Sequence, residues 1–151
     1  SAPLSENDRA CDRVEGVQSV MKASGLDPRN LNLIEIPYSI ENGEVAFKKL
    51  MSCEKPPSVV ICGNDDFAVG AIKSAKQLGY KVPSDISITG FDDIELASVI
   101  EPALTTVHVP HRKMGKIAAR MLVDMIDHKK PKSRELGTSV IFRETLGPPR
   151  L

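Results

Sequence analysis

The sequence predicts an α/β fold, with a mainly parallel sheet flanked by helices. Three observations carry that expectation. Short β-branched runs, SVVIC at 58–62, ISIT at 86–89 and TTVH at 105–108, alternate with longer stretches of helical period. The first two runs are continuous in character rather than alternating, as in strands covered on both faces. At 151 residues the chain suits one domain large enough to bury a real core.

The elements follow in order. Asn7 or Asp8 is placed to cap a first helix running to about residue 24, where Gly25 stops it; Val14, Val17, Val20 and Met21 share its apolar side. Residues 33–36, LIEI, read as a short strand ended by Pro37. Asn42 is expected to cap a second helix carrying Ala46, Phe47, Leu50 and Met51, which ends before Pro56-Pro57. The strand at 58–62 follows, then a third helix over about 66–78 with Phe67, Ala71, Ala75 and Leu78 on one stripe and Gly79 as its stop. The strand at 86–89 leads to a short helical piece over 93–99 and to the strand near 105–108. Pro110 opens the longest helix, to about residue 128, whose stripe of Met114, Ile117, Ala118, Met121, Leu122 and Met125 reads as a packing surface. A last strand is expected over 138–142, and Gly147-Pro148-Pro149 as an exit.

Composition narrows the function classes. Hydrophobic residues make up 41% and charged residues 26%, ordinary values for a globular protein. Formal net charge is zero, which argues against a nucleic-acid-binding surface on this chain. No apolar run approaches the roughly 20 residues that span a bilayer, and SAPLSENDRA lacks the basic-then-apolar pattern of a signal peptide. Aromatic content of 4% with no Trp predicts an aliphatic core of Val, Ile, Leu, Ala and Met. Cys11, Cys53 and Cys62 have no metal spacing and are odd in number, so buried thiols and a reducing, cytoplasmic setting are expected. No cofactor is expected: there is no G-x-G-x-x-G, and Gly115-Lys116 lacks the upstream glycine of a phosphate loop.

Two strands end alike, in Gly63-Asn64-Asp65-Asp66 and Gly90-Phe91-Asp92-Asp93. In an open α/β sheet ligands bind beyond the carboxyl ends of the strands. Asn64 and Asp92 stand there, offering acceptors and, from the amide, donors suited to a polyhydroxylated or amide-bearing small molecule. Capping of the following helices is the competing role, assigned chiefly to Asp65 and Asp93. Arg13, in R-V-E-G, can reach a ligand hydroxyl or carboxylate, whereas Arg9 one turn earlier reads as solvated. His108 and His111 straddle Pro110 but have no evident third metal ligand. No nucleophile–base pair stands out, so an enzyme is not expected.

NDDFAVGAIKSAKQLGYKVPSDISITGFDD, followed by EPALTTVHVP, resembles the LacI/GalR family of bacterial transcription regulators, in the effector-binding core that is similar to periplasmic sugar-binding proteins. DRACDRVEGV resembles the family's first pocket-lining helix, and MGKIAARMLVDMI and VIFRETLGPP the segments after the last crossover; the resemblance covers about residues 7–149. It implies a periplasmic-binding-protein-like type I subdomain, a Rossmann-like three-layer sandwich. It also implies a small effector, often a sugar, nucleobase or nucleoside, held in a cleft between two subdomains. Carried over by position, Arg13, Asn64 and Asp92 match pocket residues, and Phe91 matches an aromatic that lies against the effector in some members. Val69 and Ile100 match surfaces of the family's homodimer interface. Val109 departs, standing where many members have Gln or Arg.

The resemblance further implies that this chain is one truncated effector-binding domain. Residues 7–109 are expected to form most of the C-terminal subdomain, 110–130 a helix that would pack on the missing N-terminal subdomain, and 138–149 a returning strand and tail. That helix is expected to fold back on this sheet or to pair with a second copy. DNA would be contacted only through a helix-turn-helix outside this chain, and no membrane partner is expected. A sugar-binding protein of a periplasmic transport system is the competing reading on the same fold.

Overall fold

A computed structural model describes residues 1–148; the expected exit at Pro149 lies outside the described residues. Among the described residues five α-helices and four short strands follow in order, alternating from α2 onward: α1 Asp8–Ala23, α2 Ile40–Met51, β1 Val59–Ile61, α3 Asp65–Gln77, β2 Ser87–Thr89, α4 Glu95–Val99, β3 Thr106–His108, α5 His111–Ile126 and β4 Ser139–Ile141. β1 and β2 pair in parallel, with Val60 opposite Ile88. Parallel bridges from Thr89 to Thr105 and from Asp92 to His108 carry the sheet on to β3, which pairs antiparallel with β4. The order is therefore β1-β2-β3-β4, mainly parallel as the sequence predicts.

The core lies between the sheet and the α2–α3 pair. Phe47, Leu50, Phe67, Ala68, Ala71 and Ala75 from the helices meet Val60, Ile86, Ile88 and Leu104. Two glycines let the helices touch backbone to backbone. A Cβ on Gly70 would lie 2.0 Å from the Ile40 carbonyl oxygen, and one on Gly43 would lie 2.4 Å from that of Phe67. Because neither carbonyl can rotate away, Gly70→Ala must push the helices apart. It is expected to cost about 3 kcal/mol, the upper range for overpacking, despite alanine's better helix propensity. A fall in the urea midpoint at unchanged slope measures this; an unchanged midpoint contradicts the close packing.

Several local expectations are corrected. Ser39, not Asn42, caps α2: its hydroxyl accepts the Asn42 N–H at 3.0 Å, while the Asn42 amide donates to the Pro37 carbonyl. Residues 33–36 form no assigned strand; they run beside Ser1, whose ammonium donates to Ile34 O and whose carbonyl accepts from Ile36 N–H. β1 is buried on one face only. Val60 points into the core, whereas Val59 and Ile61 remain exposed on the other side. The thiols are not uniformly buried either: Cys62 is, Cys11 is half-buried and Cys53 is exposed. The methionines contribute little to the core. α5 has no buried residue, and Met114, Leu122 and Met125 on its stripe are open to solvent. The helix does not fold back over the sheet.

A candidate effector pocket at the strand ends

The carboxyl ends of β1, β2 and β3 converge, and Arg13 bridges the first two. From α1 its guanidinium donates to the Gly63 carbonyl at 2.6 Å and lies over the Phe91 ring, 3.8 Å from the centroid. One side chain thus ties the α1 rim to both strand ends, holding Phe91 by a cation–π contact. At least three of its N–H donors stay available to a ligand.

Asp92 is the exceptional residue of this rim. Its φ of 115° and the φ of 56° at Asp93 lie in the left-handed region, where a non-glycine residue stores on the order of 1 kcal/mol or more of strain. The backbone is held there from outside: Asp92 N–H donates to Val107 O at 2.9 Å. The Asp92 carboxylate is 28% exposed and accepts no hydrogen bond among the described residues. Its nearest basic group is the His111 ring, with Nε2 at 3.7 Å, a charge partner only when protonated. Burial raises its pKa, against the pull of Arg13, His111 and Arg9. A strained, partly desolvated carboxylate without a donor is an acceptor poised for one.

Asp93 takes a different part. Its two oxygens accept from Arg143 at 2.7 Å and meet His108 Nδ1 at 2.9 Å, while Arg143 also donates to the Leu104 carbonyl. Burial alone would raise its pKa, but these partners outweigh it and hold the carboxyl below its ordinary value. Stability from this pair is therefore present above the ordinary carboxylate pKa of about 3.9 and is lost as pH falls through the depressed value. Asp93→Asn keeps the left-handed backbone tolerable. It should cost about 1–3 kcal/mol at pH 7 and flatten the acid limb of the stability–pH curve; a variant with the parent's acid limb contradicts the pairing.

The capping expectations shift accordingly. Asn64, not Asp65, caps α3, its side-chain oxygen accepting from Phe67 N–H at 3.0 Å. Asp93 is spent on Arg143 and His108, and no side chain caps α4. Asp65 is almost wholly buried and accepts from Ile94 N–H at 2.9 Å and from the Thr106 hydroxyl at 2.5 Å. It braces the Asp92–Asp93 turn from beneath. Gly90 is required by that brace rather than by a turn: a Cβ there would sit 2.1 Å from an Asp65 oxygen.

Residues 3–146 match the family model described as the periplasmic binding protein-like domain. The chain belongs to this family. Among curated proteins it is similar to the HTH-type transcriptional repressor PurR of Vibrio vulnificus, 34% identical over 91% of this chain, and to that of Proteus mirabilis, 36% identical over 78%. Those alignments cover 42% and 35% of the relatives' own lengths, so the chain spans well under half of them. Among solved structures it resembles a LacI-family regulator from Burkholderia phymatum, at 32% identity and a TM-score of 0.84 over 91% of this chain and 50% of that one. It also resembles one from Enterococcus faecium solved with bound ribose, at 26% identity and a TM-score of 0.88 over 93% and 53%.

In this periplasmic binding protein-like domain two hollows adjoin the rim. One, of about 410 Å³, contains Arg13, Phe91 and Asp92 together with Arg9, Asp12, Val109, His111 and Arg134. The other, of about 620 Å³, is an apolar groove beneath α1, lined by Val17, Met21, Ile61, Val107 and Val140 among others. Arg13, Phe91 and Asp92 thus come together, whereas Asn64 lies outside both hollows and has its oxygen committed to α3. Val69 is half-buried on α3, and Ile100 packs partly against the core. Cys62 edges the apolar groove with its thiol pushed up to about 12, chiefly by burial, so it stays protonated at neutral pH. His108 and His111 face carboxylates rather than each other, and no group of three or more His, Cys, Asp or Glu side chains suited to a metal occurs among the described residues. No helix there is long and apolar enough to cross a membrane. Arg134, Arg143 and the brace at Asp65 escape a reading of the sequence, since each acts on a partner at least 29 residues away or on a pocket closed by a distant loop.

Proposed function

We propose that this chain is the effector-binding and dimerising part of a LacI-type transcriptional regulator, working in the cytoplasm. The observation that carries the reading is the rim itself. Arg13 is anchored on Gly63 and Phe91 with donors to spare, and the unpartnered Asp92 carboxylate opens into the same hollow. Arg13 and Asp92 grip the hydroxyl or amide edge of a small effector, Phe91 supports its flat face, and Asn64, next to Gly63 and outside the hollow, offers only its amide donors. The similarity to curated repressors favours a regulator over a transport protein on the same fold. DNA contacts belong to a helix-turn-helix outside this chain. A second copy packs on the α3–α4 face around Val69 and Ile100, where Val99 is 69% exposed.

The test is a thermal-shift and calorimetric screen of pentoses, hexoses, nucleobases and nucleosides against the parent and the Asp92→Ala and Arg13→Ala variants. One ligand class should stabilise the parent and neither variant. Equal stabilisation of all three proteins by every ligand that binds sinks the assignment.

A further inference from the structure

We infer that the effector carries an anionic oxygen group, a phosphate monoester on a polyhydroxylated body; this rests on the effector-pocket reading and specifies the ligand class. The 410 Å³ hollow gathers three guanidiniums, Arg9 and Arg13 from α1 and Arg134 from the segment between α5 and β4. Arg13 is partly committed to Gly63 and Phe91. Arg9 and Arg134 make no hydrogen bond or ion pair among the described residues, although Asp12 and Asp92 line the same hollow. Both are exposed, so their guanidiniums are free to turn to a ligand in the hollow, and a forked donor matches the oxygens of a phosphate.

The remaining wall agrees. Three arginines against two carboxylates leave the hollow positive, and His111 adds to this when protonated. α5 opens on the hollow through Pro110 and His111 with no acidic residue in its first turn and no side-chain cap, which adds to the positive field without constituting a site. Asp92 remains the acceptor for a sugar hydroxyl at one end, and Val109, Pro110 and Leu136 supply apolar wall between. The arrangement has two ends of different chemistry: a carboxylate for hydroxyls and guanidiniums for an anion.

The experiment compares ribose, ribose 5-phosphate and inorganic phosphate as ligands of the 151-residue chain, by NMR titration at low and high salt. Ribose 5-phosphate should bind at least about tenfold more tightly than ribose at low salt, with the preference shrinking as screening grows. Arg9→Gln with Arg134→Gln should erase the preference, bringing ribose 5-phosphate to the affinity of ribose; Asp92→Asn should weaken both sugars and spare inorganic phosphate. Ribose binding that depends on Asp92 with no phosphate preference overturns this inference and leaves the effector pocket standing. A phosphate preference that survives the double arginine variant also overturns it. Failure of all three probes overturns it too, and binding indifferent to both Asp92 and the arginines removes the pocket reading as well.

Discussion

Asp65→Ala should be the most destabilising single change in this domain, at about 3–5 kcal/mol. The carboxylate is 1% exposed and serves two donors, Ile94 N–H and the Thr106 hydroxyl. Removing it leaves a buried hydroxyl and a part-buried N–H without an acceptor, at about 1–3 kcal/mol each, and opens a cavity. Against a total stability of roughly 5–15 kcal/mol, such a loss threatens folding outright. The same brace explains Gly90, because any Cβ there strikes Asp65. The two positions should therefore be strongly non-additive: Gly90→Ala costs several kcal/mol in the parent by about the logic of overpacking, and much less once Asp65 is Ala. A urea-unfolding double-mutant cycle reads this directly. Additive costs would show that Gly90 answers to something other than Asp65.

Asp92 should behave in the opposite way. Asp92→Asn is expected to weaken effector binding yet leave the ligand-free protein as stable as the parent or more so at pH 7. The reasons are local. Its carboxylate makes no hydrogen bond among the described residues, and burial raises its pKa, so the ionised form opposes folding. A raised carboxylate pKa means that this opposition is absent at low pH and grows as pH rises through the folded value. Asn removes the charge while tolerating the 115° φ nearly as well. A residue kept at a cost to stability is a mark of function. A lower melting temperature for ligand-free Asp92→Asn contradicts this account. A binding loss of about 1–3 kcal/mol, the value of a charge-assisted hydrogen bond, is the expected size.

These two aspartates show what the sequence made legible. The alternation of β-branched runs with helical stripes was enough for the fold, since each short strand needs a helix to return the chain in parallel. The strand ends were legible too, because Gly-Asn-Asp and Gly-Phe-Asp-Asp recur at equivalent places. The division of labour within them was not. Asn64 and Asp65 are adjacent and similar in chemistry, yet one caps α3 and the other is buried under the neighbouring strand end. Only the placement of the α3 N-terminus against Ile94 and Thr106 decides between them. Likewise the glycine of ITGFDD serves no turn: the positive φ angles fall on Asp92 and Asp93, and Gly90 makes room for a side chain.

Residues governed by distant contacts stayed hidden. Arg143 reaches Asp93 across 50 positions, and Arg134 enters the pocket from a loop with no periodic signal. The α5 stripe has helical spacing like that of a core helix but no cover here, since periodicity records an apolar face and not what lies against it. The continuous run at 58–62 misled for the same reason: it identified a strand but not the groove left open beneath α1.

The most direct test is to map where an effector lands. In an amide NMR titration with a ligand taken from the stabilising class, the largest shifts should fall on Asp92, Val109 and His111, which line the strand-end hollow and not the apolar groove. Shifts centred instead on Val17, Ile61 and Val140, in the apolar groove beneath α1, would contradict the claim that the strand-end rim binds the effector.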